Sequence, residues 1–97
     1  MSHAITYRHL AKRPDGTTVI AGRRIRVDMV DAWVESGDTP KRIAKGYELP
    51  LASVYEALAY AADHPEEMQT IRDEEAAIER DLLSRLPPEL TRGIDIP

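Results

Sequence analysis

Apolar positions along this chain change period several times, and each change marks an element. Met29, Val30, Trp33 and Val34 recur at helical spacing, with Asp28 placed to cap the segment and Gly37 to stop it. A second, shorter helix follows. Thr39 is a cap-type residue before Pro40, which belongs at a first helical position, and Ile43 and Ala44 supply a buried side before Gly46. Pro50 permits a new start, and Leu51, Val54, Tyr55, Leu58 and Ala61 then repeat at three and four residues, predicting a third helix from about Leu51 to Asp63. Pro65-Glu66-Glu67 opens the longest helix, because proline and carboxylates both favour a first turn. Met68, Ile71, Ile78 and Leu82 form its apolar stripe, Asp81 and Arg85 stand i, i+4, and Pro87-Pro88 ends it after roughly 30 Å. The tail from Glu89 to Pro97 has no helical period, and is read either as a frayed end or as a segment that orders on a partner.

Upstream of residue 28 the period is that of strands. Pro14-Asp15-Gly16 is a turn between a strand expected over Ile5–Leu10 and Val19-Ile20. Ala21-Gly22 then separates Val19-Ile20 from the alternating Arg24-Ile25-Arg26-Val27, which predicts a tight β-ribbon with Ile25 and Val27 inward and Arg24 and Arg26 on a basic outer face. The fold expected is mainly α: a three-helix, helix-turn-helix core behind a short N-terminal β-ribbon, with a long C-terminal helix. Residues 1–64 make the core and 65–97 the extension, one compact domain with an arm. A helix that long overhangs a core of this size, so part of its stripe is expected to meet another copy or another protein.

Charge sharpens this division. Residues 1–46 carry nine Lys/Arg against five Asp/Glu, a net of +4, whereas residues 47–97 carry four against twelve, a net of −8. Either this is ordinary solvated charge, or the two halves face different partners, one of them polyanionic. The absence of Phe and the single Trp33 make the core aliphatic and tyrosine-based. No cysteine is present, which excludes disulfides, thiolate metal sites and cysteine nucleophiles, and fits a reducing compartment; the cytoplasm is expected. No apolar stretch has the length of a signal peptide core or a membrane span, so no membrane association is expected.

Helix two, the turn over 46–50 and helix three have the proportions of a helix-turn-helix, in which the second helix of the pair enters the major groove while the first crosses the backbone. Positions 51–63 contain no Lys or Arg and include Glu56 and Asp63, so phosphate contacts must come from Lys41, Arg42, Lys45, Arg23, Arg24 and Arg26. Base reading falls to Ser53, Glu56 or a ribbon arginine. The arm offers Met68, Ile71, Ile78, Leu82, Leu86, Leu90, Arg92 and Ile94 to a protein partner. Tyr47, Tyr55 and Tyr60 are read as core residues. His3, His9 and His64 are scattered, without metal-ligand spacing, and His64 is placed to cap the long helix. The paired acids Glu74-Glu75 sit on a solvated face, no serine lies in a nucleophile motif and Gly22 stands alone, so neither catalysis nor a cofactor is expected.

Three ordered blocks carry a resemblance to a known family. Thr18-Val19-Ile20-Ala21-Gly22-Arg23-Arg24-Ile25-Arg26-Val27, Gly37-Asp38-Thr39-Pro40-Lys41-Arg42-Ile43-Ala44 and Val54-Tyr55-Glu56-Ala57-Leu58-Ala59-Tyr60-Ala61-Ala62 resemble the ribbon and helix blocks of the antitoxin-like family catalogued as domain of unknown function 433, across about residues 5–70. Arg23 stands where the family pattern has Thr, and Lys41-Arg42 replace its usual acids. The resemblance implies a homeodomain-like helix-turn-helix core and an antitoxin whose partner is a PIN-like ribonuclease toxin. The expectation is therefore a homodimeric regulator that neutralises such a toxin and binds its own operator DNA. The alternative is a non-catalytic protein-interaction adaptor without DNA binding.

Overall fold

A computed structural model describes residues 7–91. The architecture is mainly helical, with a two-stranded antiparallel sheet at the N-terminal end and a long C-terminal helix. Strand β1 (Leu10–Lys12) pairs with β2 (Thr18–Ile20), Leu10 opposite Ile20 and Lys12 opposite Thr18. The connecting turn closes as its residues dictate. Gly16 takes a φ of +90°, its N–H donates to the Arg13 carbonyl, and the Asp15 carboxylate accepts from the Thr17 N–H at 2.8 Å.

Two expectations about the strands change here. The strand expected over Ile5–Leu10 is observed instead at Leu10–Lys12, tight against the turn, and residues before Tyr7 lie outside the described range. The ribbon expected around Gly22 shrinks to one bridge, Val19 with Arg26, plus a bond from the Ile20 N–H to the Ile25 carbonyl. The chain has to leave the sheet there because helix α1 (Val27–Glu35) begins one residue before the expected cap, with Arg26 at the N-cap position. Asp28 falls inside the first turn, where its charge complements the helix N-terminus. The helix stops where expected: Gly37, at φ +104°, donates to the Val34 carbonyl and Asp38 to that of Trp33.

Helix α2 (Pro40–Gly46) is capped by Thr39, whose hydroxyl accepts from the Arg42 N–H at 3.2 Å, worth about 1 kcal/mol. Its C-terminal reversal falls not on Gly46 but on Glu48, at φ +54°, which lets the Leu49 N–H return to the Ala44 carbonyl at 2.8 Å. Helix α3 (Leu51–Asp63) and helix α4 (Pro65–Arg85) follow with the expected bounds. A final four-residue turn of helix, α5 (Pro88–Thr91), forms where no helical period was read.

The core gathers Ile20 from β2, Val27 and Val30 from α1, Ile43 and Ala44 from α2, Val54, Ala57, Tyr60 and Ala61 from α3, and Met68 from α4. It therefore reaches past residue 64. Met68 is only 3% exposed and Ile71 packs against the same cluster, so the first turns of α4 belong to the core and are not free for a partner. Arg72 ties α4 to α1 through Asp31 (3.2 Å) and Glu35 (3.5 Å), and Arg26 reaches Glu75 at 2.5 Å. Beyond Glu75 every residue from Ala76 to Leu90 is exposed except half-buried Leu83. This projection accounts for a radius of gyration of 16.1 Å, against about 12 Å for a compact chain of similar length.

Candidate nucleic-acid interface

The basic surface is assembled from α2 outward. A short helix that turns Ile43 and Ala44 into the core leaves Lys41, Arg42 and Lys45 exposed on its other side. Arg42 leans on Asp38 at 3.6 Å, but its side chain is 78% exposed, a contact worth little. Arg23 joins this surface through the chain reversal at Gly22. Its guanidinium donates to the Glu48 carbonyl at 2.9 Å and to that of Tyr47 at 3.4 Å, at the C-terminal end of α2 where unpaired carbonyls carry partial negative charge. A guanidinium has five N–H donors, so two carbonyl contacts leave others for an incoming anion. Arg24, beside it, is exposed.

Two of the expected DNA-facing residues are elsewhere. Arg26 does not point outward with Arg24: it is half-buried, bonded to Asp28 at 3.0 Å as well as to Glu75, and its Nε together with Asp28 Oδ1 is buried without a hydrogen-bond partner. It clamps the arm to α1. Ser53 is wholly buried, and its hydroxyl donates to the Pro50 carbonyl at 2.6 Å, closing the first turn of α3. It cannot reach a base edge. Both follow from tertiary packing, since Glu75 of α4 draws Arg26 in and α3 buries the face that holds Ser53 with Val54 and Ala57.

The acids of α3 are also accounted for. Glu56 accepts from the His9 backbone N–H at 2.8 Å and pairs with the His9 imidazole, while Asp63 accepts from the Tyr7 hydroxyl at 2.8 Å. The segment before β1 thus straps along α3. Burial pushes the Glu56 carboxyl up, but the His9 backbone N–H and imidazole pull it further down, so it lies below the ordinary carboxylate value. The same strap brings Arg8 beside Arg23 in a hollow shared with Leu49, Pro50 and Ser53 at the start of α3. Sequence reading left out Arg8, because only the pairing of β1 with β2 decides which side of the molecule it occupies. What α3 leaves exposed is Ala52, Tyr55, Ala59 and Ala62, with Asp63 at its end and no cation.

The chain matches the model of the family described as protein of unknown function (DUF433) over residues 12–61. It belongs to that family. The matched span runs from the last residue of β1 to near the end of α3, so it takes in the basic surface apart from Arg8 and stops before the arm. No curated protein and no solved structure matches the chain.

The aromatic and imidazole side chains divide by burial. Tyr60 is core, its hydroxyl accepting from Thr18 at 3.1 Å and donating to Glu67 at 2.9 Å. Tyr47 and Tyr55 are about half exposed rather than core, and Tyr47 stacks on Trp33 at 4.6 Å between centroids. His64 stands at the N-cap position of α4 but makes no capping bond; its Nδ1 lies 2.9 Å from the Tyr60 carbonyl and its ring stacks on that tyrosine. Among the described residues no group of three His, Cys, Asp or Glu side chains converges on a metal position, and no helix is long and apolar enough to cross a membrane. Of the arm residues expected to face a partner, Ile78, Leu82, Leu86 and Leu90 are 58, 55, 41 and 60% exposed. Arg92 and Ile94 lie outside the described residues.

Proposed function

We propose that this chain is a non-catalytic, antitoxin-like regulator acting in the cytoplasm. Its homeodomain-like core of α1, α2 and α3 grips operator DNA, and its projecting arm engages protein, a PIN-like ribonuclease toxin in the first instance. The observation that carries the reading is the anchoring of Arg23 on the Tyr47 and Glu48 carbonyls, which joins the Gly22 turn to the cationic side of α2. Arg8, Arg23, Arg24, Lys41, Arg42 and Lys45 then form one phosphate-facing surface around the helix-turn-helix. The antitoxin element of the reading rests on the resemblance between this chain's ribbon and helix blocks and those of antitoxin-like proteins. Sequence selectivity would come from shape, or from a ribbon arginine, since α3 exposes only alanines, Tyr55 and, at its end, the anionic Asp63.

A gel shift against the promoter of the chain's own operon, across a salt series, tests this. Binding is expected to weaken as salt rises, and each of Lys41→Ala, Arg42→Ala and Lys45→Ala to lower the log–log salt slope by about 1. Binding that is absent, or indifferent to salt, refutes the phosphate-contact reading. The cation-free exposed face of α3 favours the second reading, an adaptor that binds protein alone. Leu90→Asp on the full chain separates the two, because it is expected to weaken toxin capture and leave DNA binding intact. Truncation after Asp63 does not separate them, since it would strip Met68 and Ile71 from the core.

A further inference from the structure

The hollow between the strap and the start of α3 has a volume of about 120 Å³, several times the room one water needs. Its lining includes Arg8, His9 and Arg23 and no carboxylate. Arg8 is exposed and makes no ion pair among the described residues, while Arg23 is steadied by the Tyr47 and Glu48 carbonyls. Buried Ile20 and Leu49 give the hollow an apolar wall. We infer that this hollow seats one phosphate group, and that His9 binds it through Nε2, as the imidazolium. The inference rests on the reading of this surface as phosphate-facing, and not on DNA being the source of the phosphate.

The need for a proton follows from the hydrogen-bond roles. An ionised carboxylate can only accept, so the His9 Nδ1 that is bonded to Glu56 carries a proton. In the neutral ring Nε2 is then a bare acceptor, which repels a phosphate oxygen, and a second proton makes it a charged donor. Nε2 has no hydrogen-bond partner among the described residues, so a ligand displaces nothing there. Ser53 adds no donor, because its hydroxyl proton is committed to the Pro50 carbonyl. The charged groups around the ring are Arg8 on the strap, Arg23 on the Gly22 turn and Glu56 on α3. A guanidinium stays charged throughout the neutral range, and Glu56 stays ionised there because its value lies below the ordinary 4.5. That leaves the imidazole, the side-chain type that changes charge near neutrality. Phosphate and proton therefore bind cooperatively, each raising the affinity for the other by the same factor. Because His9 is 37% exposed, solvent screens the contact and the factor is about three- to tenfold, below that of a buried charged hydrogen bond.

Sulfate tests this, because it has the shape of phosphate and a fixed charge from pH 6 to pH 8. The full chain is titrated with sulfate at constant ionic strength from about 0.5 to 50 mM, bracketing a Kd on the order of 5 mM, and followed by NMR. The His9 imidazole and Arg23 guanidinium signals should move, with an affinity about three- to tenfold higher at pH 6 than at pH 8. In the same chain, sulfate should raise the pH at which the His9 signal titrates. His9→Asn keeps an N–H where Nδ1–H stood, and with it the tie to Glu56, but has no Nε2; its sulfate affinity should be equal at the two pH values. Gel shifts of a promoter duplex should show the same pH response in the parent and its loss in His9→Asn. Sulfate that moves neither signal, a parent affinity equal at pH 6 and pH 8, or a pH response that survives in His9→Asn overturns the inference. A duplex bound with the expected salt dependence but with one pH response in both chains removes the seat and leaves the basic surface standing. A chain that takes sulfate as described but shifts no duplex keeps the seat and removes the DNA-binding reading instead.

Discussion

Removing the Glu56 carboxylate should loosen the strap that closes over α3, and Glu56→Ala is the substitution that does so. Glu56 receives the His9 backbone N–H and the His9 imidazole, with its side chain 20% exposed. A buried hydrogen bond to a charged group is worth about 1.5–3 kcal/mol. Here the pair is partly solvated and His9 is itself 37% exposed, which reduces the joint contribution to about 1–2 kcal/mol. For a domain of this size that corresponds to a fall of about 5–10 °C in Tm. The dependence on pH has a definite sign. The folded-state value of Glu56 lies below the ordinary 4.5, so its contribution is present above the unfolded value and is lost as pH falls through the lowered one. Thermal melts of the parent and Glu56→Ala chains should differ fully at pH 7 and at pH 5, and converge only in more acid solution. Equal Tm values at pH 7, or curves that converge already between pH 7 and pH 5, would refute this account of the strap.

Two further outcomes follow from single residues. Glu48 holds a left-handed conformation at φ +54° that costs a side chain about 1 kcal/mol, so Glu48→Gly should raise stability by about 0.5–1 kcal/mol in urea melts; a loss would mean that the Glu48 side chain contributes something the backbone geometry does not explain. Tyr7 is pushed up to about 12, by burial first and then by its hydrogen bond to Asp63. Ultraviolet titration against Tyr7→Phe should show it ionising well after an ordinary tyrosine, its stabilising effect present below pH 10 and lost as pH rises through about 12, whereas ionisation near 10 would place Tyr7 off α3.

The helices were legible in the sequence because their signals are local. Thr39-Pro40, Pro50 and Pro65 start α2, α3 and α4 by fixing φ or supplying a cap, and Gly37 ends α1 by accepting φ +104°. Apolar period four-by-three chose the inward faces, and the exposure of Lys41, Arg42 and Lys45 follows from Ile43 and Ala44 being buried. Tertiary packing decided what no local pattern encodes. Ser53 has the composition of a surface cap residue yet is buried, because α3 turns that side toward His9, Ile20 and Leu49. Arg26 has the alternation of an outward strand residue yet turns to Glu75, 49 positions away. Met68 and Ile78 belong to one stripe in the sequence, but only the first reaches the core, since α4 is longer than the body it packs on. Local pattern fixes which side of an element is apolar; contact between distant elements fixes how much of that side is covered, and so which charges remain free to meet a partner.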